Sequence, residues 1–166
     1  MIRHATPADT HTIANLIHGL AAYERLEDQV VLDECDLHEH LFGERRYAEV
    51  ILAEDSGAVL GFALFFHNYS TFIGKPGIYL EDLFVLPEHR VRGHGKALLA
   101  RLAQIALERG CGRLEWAVLD WNDPSIAFYR SLGATVMDEW TTYRMTGDAL
   151  RALAASSAST GTAPQK

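Results

Sequence analysis

Cysteine is scarce in this chain: Cys35 and Cys111 are the only two in 166 residues, and neither sits in a partner motif. Such a pair does not make the dense disulfide framework of a small secreted domain, and reduced thiols are expected. Long apolar runs are missing too. No stretch approaches the roughly 20 apolar residues that a bilayer-spanning helix needs. The start, Met1-Ile2-Arg3-His4, has neither a charged leader nor the apolar segment of a secretion signal. A cytoplasmic protein with no membrane partner is therefore expected. Positive charge is in deficit, with 15 Lys and Arg against 22 Asp and Glu, so the formal net charge is −7. Phosphate neutralisation needs a clustered basic face, which argues against a nucleic-acid partner. The same negative balance favours the approach of a cation. No internal repeat is visible, and nothing before residue 154 reads as a linker.

Apolar residues make up 48% and charged residues 22% of the chain, the composition of one soluble globular domain with a core of its own. Thr6-Pro7-Ala8-Asp9 has the pattern of a helix start: a Thr cap, Pro in the first turn, and an acid where the helix dipole favours one. Ile13, Leu16, Ile17, Leu20 and Ala21 then recur at helical spacing, to an end near Tyr23. A second short helix is expected from Asp33 to Leu41, closed by Gly43. "YAEVILAEDSGAVLGFALFFHNY" reads as two strands joined at Asp55-Ser56-Gly57. "GIYLEDLFVL" gives another strand, ended by Pro87. Leu98, Leu99, Leu102, Ile105, Ala106 and Leu107 mark one face of a long helix between Gly93 and Gly110. "RLEWAVLD" reads as a buried strand, "PSIAFYRSL" as a short helix and "TVMDEWTTYRM" as two closing strands or one bent pair. The fold class is mixed α/β with a largely antiparallel first half. One domain over residues 1–153 is expected. From Ala154 to Lys166 no large apolar side chain is present to offset ordering entropy, and a disordered tail is expected.

The densest chemistry lies in "EHRVRGHGKALL", residues 88–99, where a strand gives way to a helix. The first amides of a helix lack internal acceptors and carry partial positive charge, which suits a phosphate. Gly93 and Gly95 let the backbone approach a ligand closely, and Arg90, Arg92 and Lys96 can add charge-assisted hydrogen bonds. The Walker loop is excluded, since Gly95-Lys96 lacks both the earlier glycine and the following Ser or Thr. A dinucleotide fingerprint is excluded by Leu98, which stands where a third small residue belongs, and a solvated strand-to-helix turn is the plainer alternative to a phosphate loop.

Arg90-x-x-Gly93-x-Gly95 resembles the acetyl-CoA motif R/Q-x-x-G-x-G/A of the GNAT N-acetyltransferase superfamily. "IRHATPADTHTIANLI", "LAAYERLEDQV", "YLEDLFVLPEHR" and "AVLDWNDPSIAFYRSLGA" are similar, in matching order, to its diamine acetyltransferase branch. That branch includes the spermidine/spermine and thialysine N-acetyltransferases. The likeness runs from about residue 2 to about residue 146. It implies the GNAT fold, acetyl-CoA as cosubstrate, a small cationic amine as acceptor, and a homodimer.

Acetyl transfer from a thioester to an amine makes three demands. A lysine-like amine with a pKa of about 10.4 costs roughly 4–5 kcal/mol to deprotonate at pH 7. The tetrahedral oxyanion needs donors, and the leaving thiolate needs a proton. The resemblance supplies candidates for each. It gives Glu81 substrate contact and the base role, direct or through water, with Asp82 in support. Because side chains alternate along a strand, the two acids face opposite ways, and one exposed acid beside one structural acid is the plainer alternative. Leu83, Phe84 and Val85 would offer backbone amides to the pantetheine and the thioester carbonyl. Arg90, Val91, Arg92, Gly93, His94, Gly95 and Lys96 would hold the diphosphate, with Asn122, Pro124 and Ser125 also near the coenzyme. Tyr129 occupies the general-acid position, although its helical spacing from Ile126 and Leu132 also suits a core residue. Tyr23 and Glu24 match the substrate-contacting pair, in an acidic stretch that otherwise reads as solvated helix faces. His38 and His40, two apart on a helix, point to different faces, and no metal is expected.

Two departures stand out. Polyamine-acetylating relatives carry an aspartate in a Tyr-Asp-Pro-Trp stretch before the catalytic strand, where this chain has Tyr69-Ser70-Thr71-Phe72. A family acid after the last helix has no sure counterpart, since Glu139 and Thr141 compete for it. Diamines, thialysine and ornithine- or lysine-like amino acids remain as acceptors. Peptide acetylation on the same fold, or an acyl-CoA-binding domain without turnover, are the alternatives.

Overall fold

The computed structural model describes residues 1–156. The chain divides into two compact units, one from Met1 to Leu119 and one from Asp120 onward.

The first unit is built on a five-stranded sheet in sequence order: β1 (Ile2–His4), β2 (Glu49–Asp55), β3 (Ala58–Ser70), β4 (Lys75–Val85) and β5 (Leu114–Trp116). The first four strands pair antiparallel, and β4 pairs parallel with β5. Three helices belong to this unit: α1 (Thr10–Glu24), α2 (Glu34–Phe42) and α3 (His94–Glu108). Ile13, Ala14 and Leu16 of α1 and Leu37 and Leu41 of α2 pack on Val50, Leu52, Phe62 and Phe84. Strand alternation sends Ile51 and Ala53 to the other face. Leu98, Leu102 and Ile105 of α3, all at most 1% exposed, are buried, and α3 lies against β1 through β5. Apolar side chains at strand and helix periods thus build two layers on one sheet.

The expected helix starts are present, with one refinement. Pro7–Asp9 is a 3-10 turn, and α1 begins at Thr10. The Asp9 carboxylate accepts the Thr6 amide and hydroxyl at 2.7 and 2.8 Å, and Arg3 grips it with two bonds of 2.8 Å. Those bonds, the Arg3 guanidinium first, hold the Asp9 carboxyl well below the usual carboxylate range. Asp33 caps α2 by accepting the Cys35 and Asp36 amides. Cys35 and Cys111 are both free thiols. No helix among the described residues is long and apolar enough to cross a membrane.

The second unit contains α4 (Asp123–Ser131) and α5 (Gly147–Ser156). From β5 onward the sequence reading needs three corrections. The strand expected over "RLEWAVLD" is only three residues long, because its ladder with β4 stops at Leu80–Trp116. The closing strands expected over "TVMDEWTTYRM" do not form. Val136, Met137, Trp140, Tyr143 and Met145 fall out of period-2 alternation and are 49–91% exposed, so no apolar face is available to pair. Finally, α5 extends into the expected tail, so Ala154–Ser156 are helical. Its Ala- and Leu-rich sequence has high helix propensity, and Arg151 bonds Asp148 at 2.6 Å. The remainder of that tail, 157–166, lies outside the described residues.

Candidate active site

The C-terminal half of β4 carries Glu81, Asp82, Leu83, Phe84 and Val85. Leu64 of β3 faces Asp82 and Phe65 faces Leu80, so Glu81 is an extra, bulged residue between them. A bulge re-aims a side chain and adds local twist. Here it leaves Glu81 exposed and the neighbouring Asp82 half-buried, so the two acids differ in exposure.

The bulge also marks the end of the β4–β5 ladder. Ile78, Tyr79 and Leu80 pair with Leu114, Glu115 and Trp116, while Leu83, Phe84 and Val85 pair only with β3. The backbone groups of that last stretch that point toward β5 are therefore outside any strand ladder. The sheet is thus open beside residues 83–85 on the β5 side, and the bulge lies on the β3 side. Gly61, which the sequence reading passed over, keeps β3 close at this point. A Cβ there would meet the Phe84 carbonyl oxygen and sit 3.0 Å from Val85 Cα. A lone glycine inside an apolar strand pattern is the signal that could have found it.

Burial pushes the Asp82 carboxyl up to about 6, helped by the charges of Glu81 and Glu24. Burial likewise raises Glu24 above the ordinary glutamate range. Glu24 and Tyr23 stand half-buried on the last turn of α1, which Arg25 closes in the left-handed conformation at φ 61°. The charges of Glu81 and Glu24 act on Asp82, and burial makes the charges of Asp82 and Glu24 costly unless a cation is present.

After β4, a 3-10 turn at Pro87–His89 leads into the glycine loop. Gly93 caps α3 at φ 88°, and the first helical bond runs from the Ala97 amide to the Gly93 carbonyl. The amides of His94, Gly95 and Lys96 precede that bond, at the positive end of the helix dipole. Val91 holds φ 62° with a fully exposed side chain. A β-branched residue in that region is strained, and such strain clusters where ligands are clamped. The three cations of the loop separate: Arg92 and Lys96 are exposed, whereas Arg90 is turned inward, its Nε donating to the Val85 carbonyl at 2.9 Å.

In the second unit, Asn122 is buried and its side-chain oxygen accepts the Ser125 amide at 3.3 Å, capping α4. Pro124 occupies the first turn, where its missing amide costs nothing. Tyr129 is half-buried on α4, its ring 5.5 Å from that of Phe128. The histidines have local contacts: His38 Nδ1 lies 3.0 Å from the Thr10 hydroxyl, and His40 meets the Tyr47 ring edge-on.

A sheet whose fourth and fifth strands part just before a glycine-capped helix is the framework of an acyl-CoA-dependent transferase. Residues 15–134 match the Acetyltransferase (GNAT) family, and the chain belongs to that family. It is 40% identical to the thialysine N-epsilon-acetyltransferase of Bos taurus over 93% of this chain and 96% of the relative. It is 36% identical to the L-ornithine N5-acetyltransferase of Arabidopsis thaliana, over 92% and 86% respectively. Among solved structures, an integron cassette protein from V. cholerae superposes with a TM-score of 0.77 at 30% identity, covering 93% of this chain and 96% of that one. The chain is thus an acetyltransferase, and acetyl-CoA is the cosubstrate of its family.

Proposed function

We propose that this protein transfers the acetyl group of acetyl-CoA to a primary amine of a small cationic amino acid of the thialysine or ornithine kind. The observation that carries the proposal is the grouping of Glu24, Glu81 and Asp82 beside the unladdered end of β4. The names of two relatives that align over more than nine-tenths of this chain point to the same acceptor class. Tyr69-Ser70-Thr71-Phe72 offers no carboxylate for the far end of a long polyamine.

The chemistry assigns roles in turn. Glu81 accepts the ammonium proton, directly or through one water. The freed nitrogen lone pair forms a bond to the thioester carbonyl carbon, and amides of Leu83, Phe84 and Val85 donate to the oxyanion. The C–S bond then breaks, Tyr129 gives its proton to the departing thiolate, and the second proton of the attacking nitrogen leaves through water and restores Tyr129. Backbone amides at Gly93, His94, Gly95 and Lys96, with the Arg92 and Lys96 side chains, face the diphosphate, and Val91 turns the loop, while Arg90, directed inward, is not assigned to the diphosphate. Asn122, Pro124 and Ser125 are assigned to the coenzyme on the resemblance, and Tyr23 and Glu24 to the acceptor. A homodimer and a cytoplasmic location belong to the same proposal.

The test is a thiol-release assay with acetyl-CoA and a panel of thialysine, ornithine, lysine, putrescine and spermidine. The amino acids should be acetylated with the highest kcat/KM, and spermidine should be poor. Preference for spermidine would overturn the acceptor assignment. Tight coenzyme binding without release for any amine would favour a non-catalytic binding domain.

A further inference from the structure

The loop cation that does not face outward has a position of its own. Arg90 bonds the Val85 carbonyl through Nε at 2.9 Å, and its guanidinium carbon stands 4.1 Å from the centroid of the Tyr23 ring. The Phe84 ring lies at 5.4 Å from the same carbon. A single side chain therefore ties together the end of β4, the start of the coenzyme loop and the last turn of α1. Arg92, two residues on, is exposed, and Val91 between them turns the backbone at φ 62°. The left-handed turn follows directly after Arg90, so the inward cation and the exposed loop are successive parts of one chain path.

Guanidinium suits this place for reasons that an ammonium does not share. Its flat face stacks on an aromatic ring, while Nε donates in the same plane to a carbonyl. A lysine would keep the charge but lose both the stacked plane and the Nε bond. If Arg90 served only as a phosphate counter-charge, Lys would be an adequate replacement, and no contact with Tyr23 would be required.

We propose that Arg90 is a positioning residue of the acceptor site: through its stack on Tyr23 it fixes the last turn of α1, and with it Glu24, against the Glu81–Val85 end of β4. This rests on the assignment of Tyr23 and Glu24 to the acceptor. It changes the expected phenotype of the first residue of the coenzyme motif from lost coenzyme affinity to lost acceptor affinity.

The experiment compares Arg90→Lys, Arg90→Met, Tyr23→Leu and the double variant Arg90→Lys/Tyr23→Leu. Acceptor KM and kcat come from thiol release, coenzyme A affinity from calorimetry, and folding from thermal melts. Arg90→Lys and Arg90→Met should both raise acceptor KM about tenfold, between the exposed and the desolvated sizes of a cation–π contribution, with coenzyme affinity and kcat within about twofold of wild type. The double variant should be no worse than Tyr23→Leu alone, because the two substitutions break one contact. Rescue of acceptor KM by Lys, additive effects in the double variant, or a loss of coenzyme affinity that matches or exceeds the KM change would each overturn the proposal. If a variant melts below the assay temperature, the same comparison at 10 °C decides it. Wild-type protein that acetylates no amine would remove the functional assignment itself, and this inference with it, a result distinct from turnover with an unchanged KM.

Discussion

Asp82 carries a consequence for stability that its neighbours on β4 do not share. Its folded pKa, about 6, lies above the ordinary value of 3.8, with burial as the first cause and the charges of Glu81 and Glu24 behind it. A raised acid pKa means that the fold prefers the neutral form. The stability this preference contributes is complete below pH 4 and is lost as pH rises through about 6. Asp82→Asn, which keeps the shape without the charge, should therefore stabilise the protein at pH 7.5, by up to roughly 3 kcal/mol. Melting curves should show that advantage shrinking between pH 6 and pH 4. An advantage that is the same at every pH would mean that ionisation is not its cause. Tyr129 makes a second prediction at this scale: Tyr129→Phe should lower kcat about 10²-fold, the low end of general acid–base contributions, with coenzyme A affinity nearly intact. An unchanged rate in the thiol-release assay would remove Tyr129 from the acid role.

At the scale of elements, the turn from β4 into α3 separates conformational need from ligand contact. Gly93 sits at φ 88°, where a Cβ has open space around it but the backbone angle is unfavourable. Gly95 is different, since a Cβ there would make only an ordinary contact, 4.0 Å from Val85 Cγ2. Gly93→Ala should therefore cost about 1 kcal/mol of stability through strain. Gly95→Ala should leave the melting temperature unchanged or higher, as helix propensity favours Ala, and still weaken coenzyme A binding by crowding its approach. Calorimetry showing no loss of affinity in Gly95→Ala would contradict close approach of the ligand at that position.

The same elements show what was legible beforehand. Periodicity and caps located α1, α2, α3, α4 and the β2–β3 hairpin, because Asp33, the Ser56-Gly57 turn and the apolar faces act locally. The closing strands and α5 were misread because the Trp140 region offers apolar residues without a period, and the Ala-rich end offers propensity without a large apolar face. Of the candidate site, Glu81 and the glycine loop were visible as types in a pattern. The bulge at Glu81, the half-buried position of Asp82 and the inward turn of Arg90 depend on register and packing across strands, which spacing along the chain does not encode.

For the whole molecule, the balance of charge and the placement of its exceptions are the governing features. A chain with a net charge of −7 gathers Glu24, Glu81 and Asp82 at one end of its sheet and exposes Arg92 and Lys96 on the adjoining loop. The first group suits an ammonium and the second a diphosphate, which is the pairing that acetyl transfer to a cationic amine requires. The relatives aligned over nearly the full chain belong to the same chemistry.

The most direct measurement is an amide-resolved NMR titration of the protein with coenzyme A. The amides of Gly93, His94, Gly95 and Lys96 should shift first and furthest, joined by those of Leu83 to Val85 and abolished together by Gly93→Asp. Saturable coenzyme binding that leaves those amides unmoved, with shifts gathered elsewhere on the protein, would contradict the account.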